Sequence, residues 1–411
     1  MASLAAKETV CMAPAAPEAA GAHRFLVLTE LFLPTKGGTA VWFDEAYRRL
    51  GGTGIHIVTA QVPGAAEHDR ASPNSVHRVR LRRHWWLRPE SLGMYAALFA
   101  RSFALARRHR FEAVHAGRVL PEGLVGLAVA RLARLPLVIY AHGEEITTWR
   151  QPGKLRAMTY AYTHADCIIA NSAFTRGELL KLGVDAARIS VIHPGVDLRR
   201  FRPGLPCEDL RRSLGLAATD RLVLSVGRLS RRKGFDHLIR ACARLAAAGR
   251  AAHLAIVGIG EDRAYLGGIA RECGLDERVH FLGHVAPEDL PRWYNACEVF
   301  AMPNREIDGD NEGFGMVFLE AAACGKPVIA GRDGGTGSAV LDGVTGLRVD
   351  GADVDGIAAA LGRLLFSPED AGRMGRAALE RAQREFSWEA VAAATSRLSP
   401  GAPSSHSRGV R

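Results

Sequence analysis

The feature that most constrains the fold is an alternation of short apolar runs and helical patterns, which occurs twice along the chain. The first apolar run, residues 24–30, is followed by a glycine turn, a helical pattern over 40–50 and a second strand candidate over 55–60. Strand, turn, helix and strand in this order are typical of a parallel sheet covered by helices. The sequence therefore predicts an α/β protein built on parallel sheets.

The same alternation restarts near residue 221, after a segment that contains Pro203 and Pro206. This restart predicts two Rossmann-like domains whose parallel sheets face each other across a cleft. Ligands of such folds bind at the carboxyl ends of the strands. The predicted organisation, from the first residue to the last, is a disordered leader over 1–22, domains over 23–203 and 204–380, a helical segment over 381–398 and a disordered tail over 399–411.

The stretch 303–320 is the most informative part of the second half, because a strand ends there in a polar loop and a helix is predicted to begin near Phe314. Gly313 and Gly315 allow the backbone at the helix start to approach a ligand, and free N–H groups at a helix N-terminus favour phosphate. Glu312 stands at this entrance and Glu320 two turns further on. Carboxylates beside a phosphate site suit hydrogen bonding to sugar hydroxyls. The alternative is a capped surface helix with incidental acids.

A second candidate element is the basic loop over residues 227–234, with the sequence GRLSRRKG. Arg228 and Lys233 supply two cations that suit a diphosphate, the arginine as a fork and the lysine as a point charge. Arg231 and Arg232 are expected to be solvated. Taken alone, such a loop also fits an ordinary basic surface.

The first half of the chain offers weaker candidates. Gly37 and Gly38 follow the first strand and could bring backbone amides to a phosphate, although a plain tight turn explains them equally well. His142 follows a buried strand and precedes a glycine, so it is expected to face the cleft and touch substrate; a purely structural histidine is the alternative. Asp308 and Asp310 form a DxD pattern without supporting ligands, so no metal is expected.

In combination, these motifs resemble the retaining glycosyltransferases of family GT4, which have the GT-B fold. The resemblance covers about residues 24–395 and follows the order HG, PGVD, GRLSRRKG, EGFGMVFLEA, GKPVIAGRDGG and DGVTGLRVDG. The stretch 299–331 is especially similar to the GDP-mannose-dependent phosphatidylinositol mannosyltransferases of the PimB type. The resemblance implies that 23–203 binds the acceptor, that 204–380 binds the nucleotide sugar, and that the helix over 381–398 crosses back to the first domain.

The resemblance also implies roles for the candidate residues of the second domain. Arg228 and Lys233 would neutralise the diphosphate of a nucleotide sugar, Glu312 would hydrogen-bond the donor sugar, and Glu320 would hold the ribose. Backbone amides that would help to bind sugar and phosphate belong to Gly313, Phe314 and Gly315. The leaving diphosphate of such enzymes is thought to deprotonate the acceptor, so the protein mainly positions the reactants and stabilises charge.

In the first domain, the resemblance places Gly37 and Gly38 near the donor phosphates and His142 beside the donor sugar. Asn171 and Ser172 would form part of the floor on the acceptor side. One departure from the family pattern is Ser338, which stands where many relatives have an acid.

The net charge of +10 is concentrated in residues 77–110, where nine arginines stand against Glu90 alone and aromatic residues are interspersed. A basic segment of this kind is typical of a protein that lies on an anionic membrane. The alternative is a helix packed on the sheet with a solvated basic face. Nucleic-acid binding would explain the charge but leaves Glu312 and Glu320 unexplained.

Together these observations predict a retaining hexosyltransferase that needs no metal or other cofactor. It would move a hexose, mannose before others, from GDP-mannose or a UDP-sugar to a lipid-linked or glycan acceptor in cell-envelope glycolipid or polysaccharide synthesis. The alternatives are a UDP-sugar-dependent α-glycosyltransferase with a soluble acceptor and a GT-B phosphorylase or epimerase-like enzyme. Seven cysteines without a CxxC pair, and no signal peptide pattern, predict a cytoplasmic protein. The basic segment 77–110 would place it at the inner face of the cell membrane.

Overall fold

The computed structural model describes residues 23–81 and 90–398, and these residues form two parallel β-sheets with helices on both faces. The predicted α/β class with two Rossmann-like domains is therefore confirmed. The segments 1–22 and 399–411, expected to be disordered, lie outside the described residues. So do Trp85 and Trp86 of the basic segment.

The first sheet contains seven strands within residues 23–81 and 90–398, and every neighbouring pair is parallel. The strands are β1 (Phe25–Leu28), β2 (His56–Ala60), β3 (Ser75–Val79), β4 (Ala113–Ala116), β5 (Leu137–Ala141), β6 (Cys167–Ala170) and β7 (Ile189–Val191). Their spatial order is β3-β2-β1-β4-β5-β6-β7, so the direction of winding reverses between β1 and β4. A crevice at such a reversal is the usual ligand site of an open α/β sheet.

Helices cover both faces of this sheet, and their apolar sides form two separate cores with the strands. They are α1 (Gly38–Tyr47), α2 (Ala65–Ala71), α3 (Leu92–Arg108), α4 (Leu124–Ala133), α5 (Glu144–Thr148), α6 (Pro152–Thr163) and α7 (Ala173–Lys181). Strand β1 is completely buried because both of its faces are covered, which explains its uninterrupted apolar sequence.

The second sheet has six strands in the described part of the chain, in the spatial order β10-β9-β8-β11-β12-β13. The strands are β8 (Leu222–Val226), β9 (His253–Val257), β10 (Val279–Gly283), β11 (Val299–Met302), β12 (Val328–Gly331) and β13 (Gly346–Val349). The helices are α8 (Glu208–Ser213), α9 (Phe235–Ala247), α10 (Arg263–Glu272), α11 (Leu290–Ala296), α12 (Met316–Ala323), α13 (Thr336–Ala339), α14 (Val354–Phe366) and α15 (Pro368–Glu385).

The last described helix, α16 (Trp388–Ser396), packs on the first domain although it follows the second in sequence. Trp388 is buried in the same core as residues of α1, and Gly195 leaves room for its ring, since a Cβ there would lie 2.8 Å from it. The prediction of one continuous helix over 381–398 is wrong, because α15 ends before Phe386 and α16 begins at Trp388. The Phe386 carbonyl accepts the Val196 N–H at 2.8 Å, and Ser387 caps α16.

Two further differences from the sequence expectation concern polar or glycine-rich stretches. Strand β3 was not predicted, because its residues are half-buried at a sheet edge and lack an apolar run. The helix expected to begin near Phe314 begins at Met316, because Gly315 adopts a positive φ of 87° immediately before it. The loop before α12 is therefore longer and can bend toward the first domain.

Candidate active site

A cavity of about 460 Å³ opens between the carboxyl ends of the two sheets. Both domains and the returning helix α16 contribute to its wall. Nine of the ten predicted site residues line it, namely Gly37, Gly38, His142, Lys233, Glu312, Gly313, Phe314, Gly315 and Glu320. The structure thus brings residues from distant parts of the chain to one place.

The loop before α12 brings the two domains close together. A Cβ on Gly313 would lie 2.1 Å from the carbonyl oxygen of His142, so no larger residue fits there without moving the backbone. Asn171 donates from its side-chain amide to the same carbonyl at 2.8 Å. The approach of Gly313 to His142 joins the first and second domains beside the cavity, and the Asn171 bond fixes the His142 carbonyl within the first domain.

Glu312 is held by two cations of the basic loop. Lys233 donates to its Oε2 atom, and Arg232 donates to the same oxygen at 3.0 Å. Burial alone would raise the pKa of Glu312, but the positive charges of Lys233 and Arg232 and their hydrogen bonds hold it below its usual value. The carboxylate is therefore ionised at neutral pH and is bonded to two positive groups.

The structure corrects the expectation for Arg232. Its side chain is only 19% exposed and pairs with Asp310 as well as Glu312, so it is not solvated. The cause is a short 3₁₀ turn over Arg231–Lys233, which directs neighbouring side chains to different sides. Arg231 lies over the ring of Tyr265 instead.

Arg228 is the one predicted site residue that does not line the cavity. Its side chain is 73% exposed and pairs with Glu261 at 3.1 Å. Its predicted contact with a diphosphate stays a prediction, and requires that the guanidinium leave Glu261.

Glu320 lies deeper in the wall, on the side of α12 that faces α11. It accepts a hydrogen bond from the Tyr294 hydroxyl at 2.7 Å. Burial raises the pKa of Glu320 to about 7, and the hydrogen bond from Tyr294 only partly opposes this shift. At neutral pH the carboxyl group can therefore donate or accept a hydrogen bond to a ligand hydroxyl.

His142 follows β5 and is held as a neutral ring. Its Nε2–H group donates to the carbonyl of Gly117 at 2.8 Å, and its backbone N–H donates to Glu145. Burial lowers the pKa of His142. Because Nε2 carries the proton, Nδ1 is left as an acceptor.

The N-terminus of α1 forms the opposite wall of the cavity. Gly37 has a φ of 135°, which a residue with a side chain rarely adopts, and Gly38 lies so close to Met316 that a Cβ would stand 2.8 Å from its sulfur. No side chain caps this helix. Its first backbone N–H groups, at the edge of the cavity, therefore have no hydrogen bond from a capping side chain. The glycine pair thus lies where the two domains approach each other, and its contact with a phosphate stays a prediction.

Two serines act at the start of α7 next to the cavity, and one of them, Ser338, belongs to the second domain. Ser172 caps α7 by accepting the Thr175 N–H at 3.2 Å, and the hydroxyl of Ser338 accepts the Ala173 N–H at 3.1 Å. The residue that departs from the family pattern thus bonds across the two domains.

Sequence reasoning missed several residues that line the cavity. Glu144 and Arg200 were not singled out, and Arg232 was assigned to solvent. Arg200 stands three residues after the PGVD motif, which ends at Asp197, and it donates to the carbonyl of Pro287. That proximity to a motif was the one available signal.

No metal centre is found in the described part of the chain, where no group of three or more histidine, cysteine or acidic side chains is placed to hold an ion. Asp310 of the DxD pattern pairs with Arg232 instead. None of the helices in residues 23–81 and 90–398 is long and apolar enough to cross a membrane.

The basic segment 77–110 divides into buried and exposed arginines. Arg78 is 7% exposed and is used internally, because its guanidinium binds Asp69 and the carbonyl of Leu33. The described arginines of the segment that are exposed are Arg80, Arg101, Arg107, Arg108 and Arg110. Arg78 therefore does not belong to the predicted membrane-facing charge.

Comparison with known proteins identifies two family models along the chain. The model of Glycosyltransferase Family 4 matches residues 36–200, and that of Glycosyl transferases group 1 matches residues 207–381. The chain is 34% identical over 383 residues to a GDP-mannose-dependent alpha-(1-6)-phosphatidylinositol monomannoside mannosyltransferase of Mycolicibacterium smegmatis, covering 92% of this chain and 98% of the relative. It is 33% identical over 390 residues to a D-inositol 3-phosphate glycosyltransferase of Frankia alni, covering 87% and 92%.

Solved structures agree with the fold. The Anabaena protein HepE, crystallised with UDP, superposes with a TM-score of 0.78 at 24% identity and covers 91% of this chain and 98% of its own. A sucrose-phosphate synthase of Thermosynechococcus elongatus superposes with a TM-score of 0.76 at 24% identity, covering 92% and 98%.

Proposed function

Because the chain belongs to glycosyltransferase family 4, we propose that it transfers mannose from GDP-mannose to a phosphoinositide acceptor with retention of anomeric configuration. The proposal of mannose and of a lipid acceptor is supported by the activities of relatives that match over most of the chain. A soluble inositol phosphate is the second candidate acceptor, favoured by the similarity to the relative from Frankia alni.

The observation that carries the proposal is the cluster of Lys233, Arg232 and Glu312 opposite the glycine turn of the first domain. Two fixed cations can stabilise the charge that develops on a leaving diphosphate. The Glu312 carboxylate can accept hydrogen bonds from sugar hydroxyls, so charge and sugar are held by adjacent groups.

The chemical step follows from this arrangement. The bond between the anomeric carbon and the diphosphate oxygen breaks, and the acceptor oxygen bonds to the same carbon on the same face of the sugar. The acceptor proton passes to a phosphate oxygen of the leaving group. The protein positions the two substrates and stabilises the diphosphate, and closure of the domains excludes water.

We expect the reaction to need no metal, because the cations that would neutralise the diphosphate are supplied by the chain. Transfer in the presence of a chelator should equal transfer without it. A loss of activity that added Mg²⁺ or Mn²⁺ restores would contradict this expectation.

The exposed arginines of 77–110 support a second part of the proposal, attachment to an anionic inner membrane surface. The variant with Arg107→Glu and Arg108→Glu should bind vesicles that contain phosphatidylinositol at least about tenfold more weakly, since each basic residue near such a surface contributes roughly 1 kcal/mol. The matched control reverses Arg244 and Arg271, which are exposed on the second domain. Equal loss in both variants would contradict a local membrane surface.

A donor screen tests the proposed reaction. The purified protein is given GDP-mannose, UDP-glucose, UDP-N-acetylglucosamine or UDP-galactose with phosphatidylinositol in vesicles or inositol phosphate in solution. We expect GDP-mannose to give the fastest transfer and the product linkage to be α by nuclear magnetic resonance. A β-linked product, or transfer only from UDP-sugars, would contradict the proposal.

A further inference from the structure

We propose that Arg118, at the carboxyl end of β4 in the first domain, binds the phosphate group of the acceptor. This inference rests on the proposed function, because it requires that the acceptor of that reaction carry a phosphate. It assigns a binding role to a residue outside the donor site.

Arg118 lies where the winding of the first sheet reverses. It is the second residue after β4, and Glu30 is the second residue after the neighbouring strand β1. The crevice outside the carboxyl ends of two such strands is where open α/β sheets bind ligands. The second domain provides the donor cluster of Lys233 and Glu312. Arg118 does not itself line the cavity, but it directly follows Gly117, which is bonded to the cavity residue His142.

The guanidinium of Arg118 is half-buried and makes no hydrogen bond or ion pair within the described residues. Its Nε atom is completely buried without a partner. Most arginines close to the cavity are paired, as Arg232 is with Glu312 and Asp310. An unpaired, partly desolvated guanidinium can bind an anion without first breaking a bond within the protein.

Glu122 lies beside this arginine but does not neutralise it. Its side chain is fully buried. Oε1 accepts the Glu30 N–H at 2.8 Å, and Oε2 has no partner in the part of the chain that the structure describes. Burial raises the pKa of Glu122 to about 7, so the carboxyl carries only part of its charge at neutral pH. The positive charge of Arg118 therefore remains available for a ligand.

Arg118 is also close to the reaction centre. The carbonyl of the preceding residue, Gly117, accepts the Nε2–H of His142, which lines the cavity. The charge of Arg118 interacts with His142 and with Tyr162. A phosphate held by Arg118 would fix an acceptor whose hydroxyl points toward the donor sugar.

The ligand class is a phosphate ester. Arginine is suited to it because its fork can donate two parallel hydrogen bonds to phosphate oxygens. The acceptors named for two relatives, phosphatidylinositol monomannoside and inositol 3-phosphate, both carry such a group. The phosphate can come from a lipid head group or from a soluble ester, and the experiment separates these sources.

The test compares Arg118→Gln and Arg118→Lys with the control Arg131→Gln, which changes an exposed arginine on α4 of the same domain. Each protein is titrated with inositol 3-phosphate in solution, with phosphatidylinositol in phosphatidylcholine vesicles, and with unphosphorylated inositol. Binding of GDP is measured on the same samples, and circular dichroism checks the fold. Arg118→Lys keeps the experiment decisive if Arg118→Gln does not fold.

We expect Arg118→Gln to weaken binding of at least one phosphate ester about tenfold or more, the usual range for losing a charge-assisted hydrogen bond. Arg118→Lys should lose part of this affinity, while Arg131→Gln, GDP binding and unphosphorylated inositol should be unchanged. A loss confined to vesicles identifies a lipid head group, and a loss confined to the solution ligand identifies a soluble ester.

Unchanged phosphate-ester affinity in both Arg118 variants would overturn the inference while leaving the proposed function intact, provided that the wild-type protein transfers sugar. Equal weakening of GDP or of unphosphorylated inositol would also overturn it, because a general distortion would then explain the loss. Failure of the wild-type protein to transfer sugar from any nucleotide sugar would instead overturn the proposed function.

Discussion

The two walls of the cleft handle buried charge differently. In the second domain, Glu312 is bonded to Lys233 and Arg232, so charges are paired before any ligand arrives. In the first domain, Arg118 has no partner among residues 23–81 and 90–398, and Glu122 uses only one carboxylate oxygen for bonds to these residues. We call the side with Lys233, Arg232 and Glu312 the paired wall and the side with Arg118 and Glu122 the unpaired wall. The paired wall is preorganised to stabilise a charged leaving group, whereas Arg118 of the unpaired wall would gain its partner from a ligand. We infer a division of labour between donor and acceptor sides.

The largest expected effect comes from breaking the paired wall. Glu312→Ala and Lys233→Ala should each lower kcat of sugar transfer by about a hundredfold or more, since they remove groups that face the developing charge and the sugar. Initial rates with GDP-mannose measure this, and far-ultraviolet circular dichroism verifies the fold. Near-normal transfer by both variants would refute the site assignment.

A second prediction compares the two buried acids, Glu320 in the second domain and Glu122 in the first. Burial raises the pKa of each to about 7, above the value of about 4.5 expected in the unfolded chain. The unfolded state therefore releases its proton first, and each acid lowers the free energy of unfolding as pH rises from about 4.5 to 7.

The shift of about 2.5 pKa units corresponds to an upper bound of about 3 kcal/mol for each group. Thermal unfolding of Glu320→Gln and Glu122→Gln, followed between pH 4.5 and 7.5, should each show a flatter pH dependence than the wild-type protein. Unchanged slopes in both variants would mean that neither acid is protonated in the folded state.

A smaller effect separates two neighbouring arginines of the paired wall. Arg232→Ala should raise the donor KM about tenfold, because it removes a charge-assisted hydrogen bond to Glu312. Arg231→Ala is the matched control, since that side chain lies over Tyr265 and pairs with Asp262. Steady-state kinetics measure the donor KM of both variants. A larger increase in Arg231→Ala than in Arg232→Ala would contradict the placement of Arg232 at the donor site.

The smallest predicted effect concerns Arg228 and its surface partner. Glu261→Gln should change the donor KM by no more than about threefold, because an ion pair between exposed side chains contributes little in water. A slight decrease of KM is expected if the freed guanidinium reaches the diphosphate, and this can be read in the same kinetic assay. A tenfold increase would show that Glu261 itself is needed for donor binding.

The sequence predicted the paired wall better than the unpaired one, for a physical reason. Apolar runs and glycine turns identify strand ends and helix starts, and these positions carry Lys233, Glu312 and His142 into the cavity. They do not show which way a side chain turns within a loop, so Arg232 was assigned to solvent although a 3₁₀ turn directs it inward.

Arg118 and Glu122 were beyond sequence reasoning for a related reason. They lie at an irregular π-helical turn over Val119–Gly123. The spacing of apolar residues in such a turn does not indicate which side chains are buried. Arg78 shows the same limit, because its charge suggested a solvated face while its side chain is enclosed by Asp69 and two backbone carbonyls. Local pattern identifies elements, but the environment of a charged side chain is set by contacts from distant strands.

The most direct test of the division of labour is calorimetric titration of GDP into the wild-type protein, Lys233→Ala and Arg118→Gln. The account predicts that Lys233→Ala weakens GDP binding about tenfold or more, while Arg118→Gln binds GDP with wild-type affinity. Equal GDP affinity in all three proteins, or a comparable loss in Arg118→Gln, would contradict the assignment of donor and acceptor to separate walls.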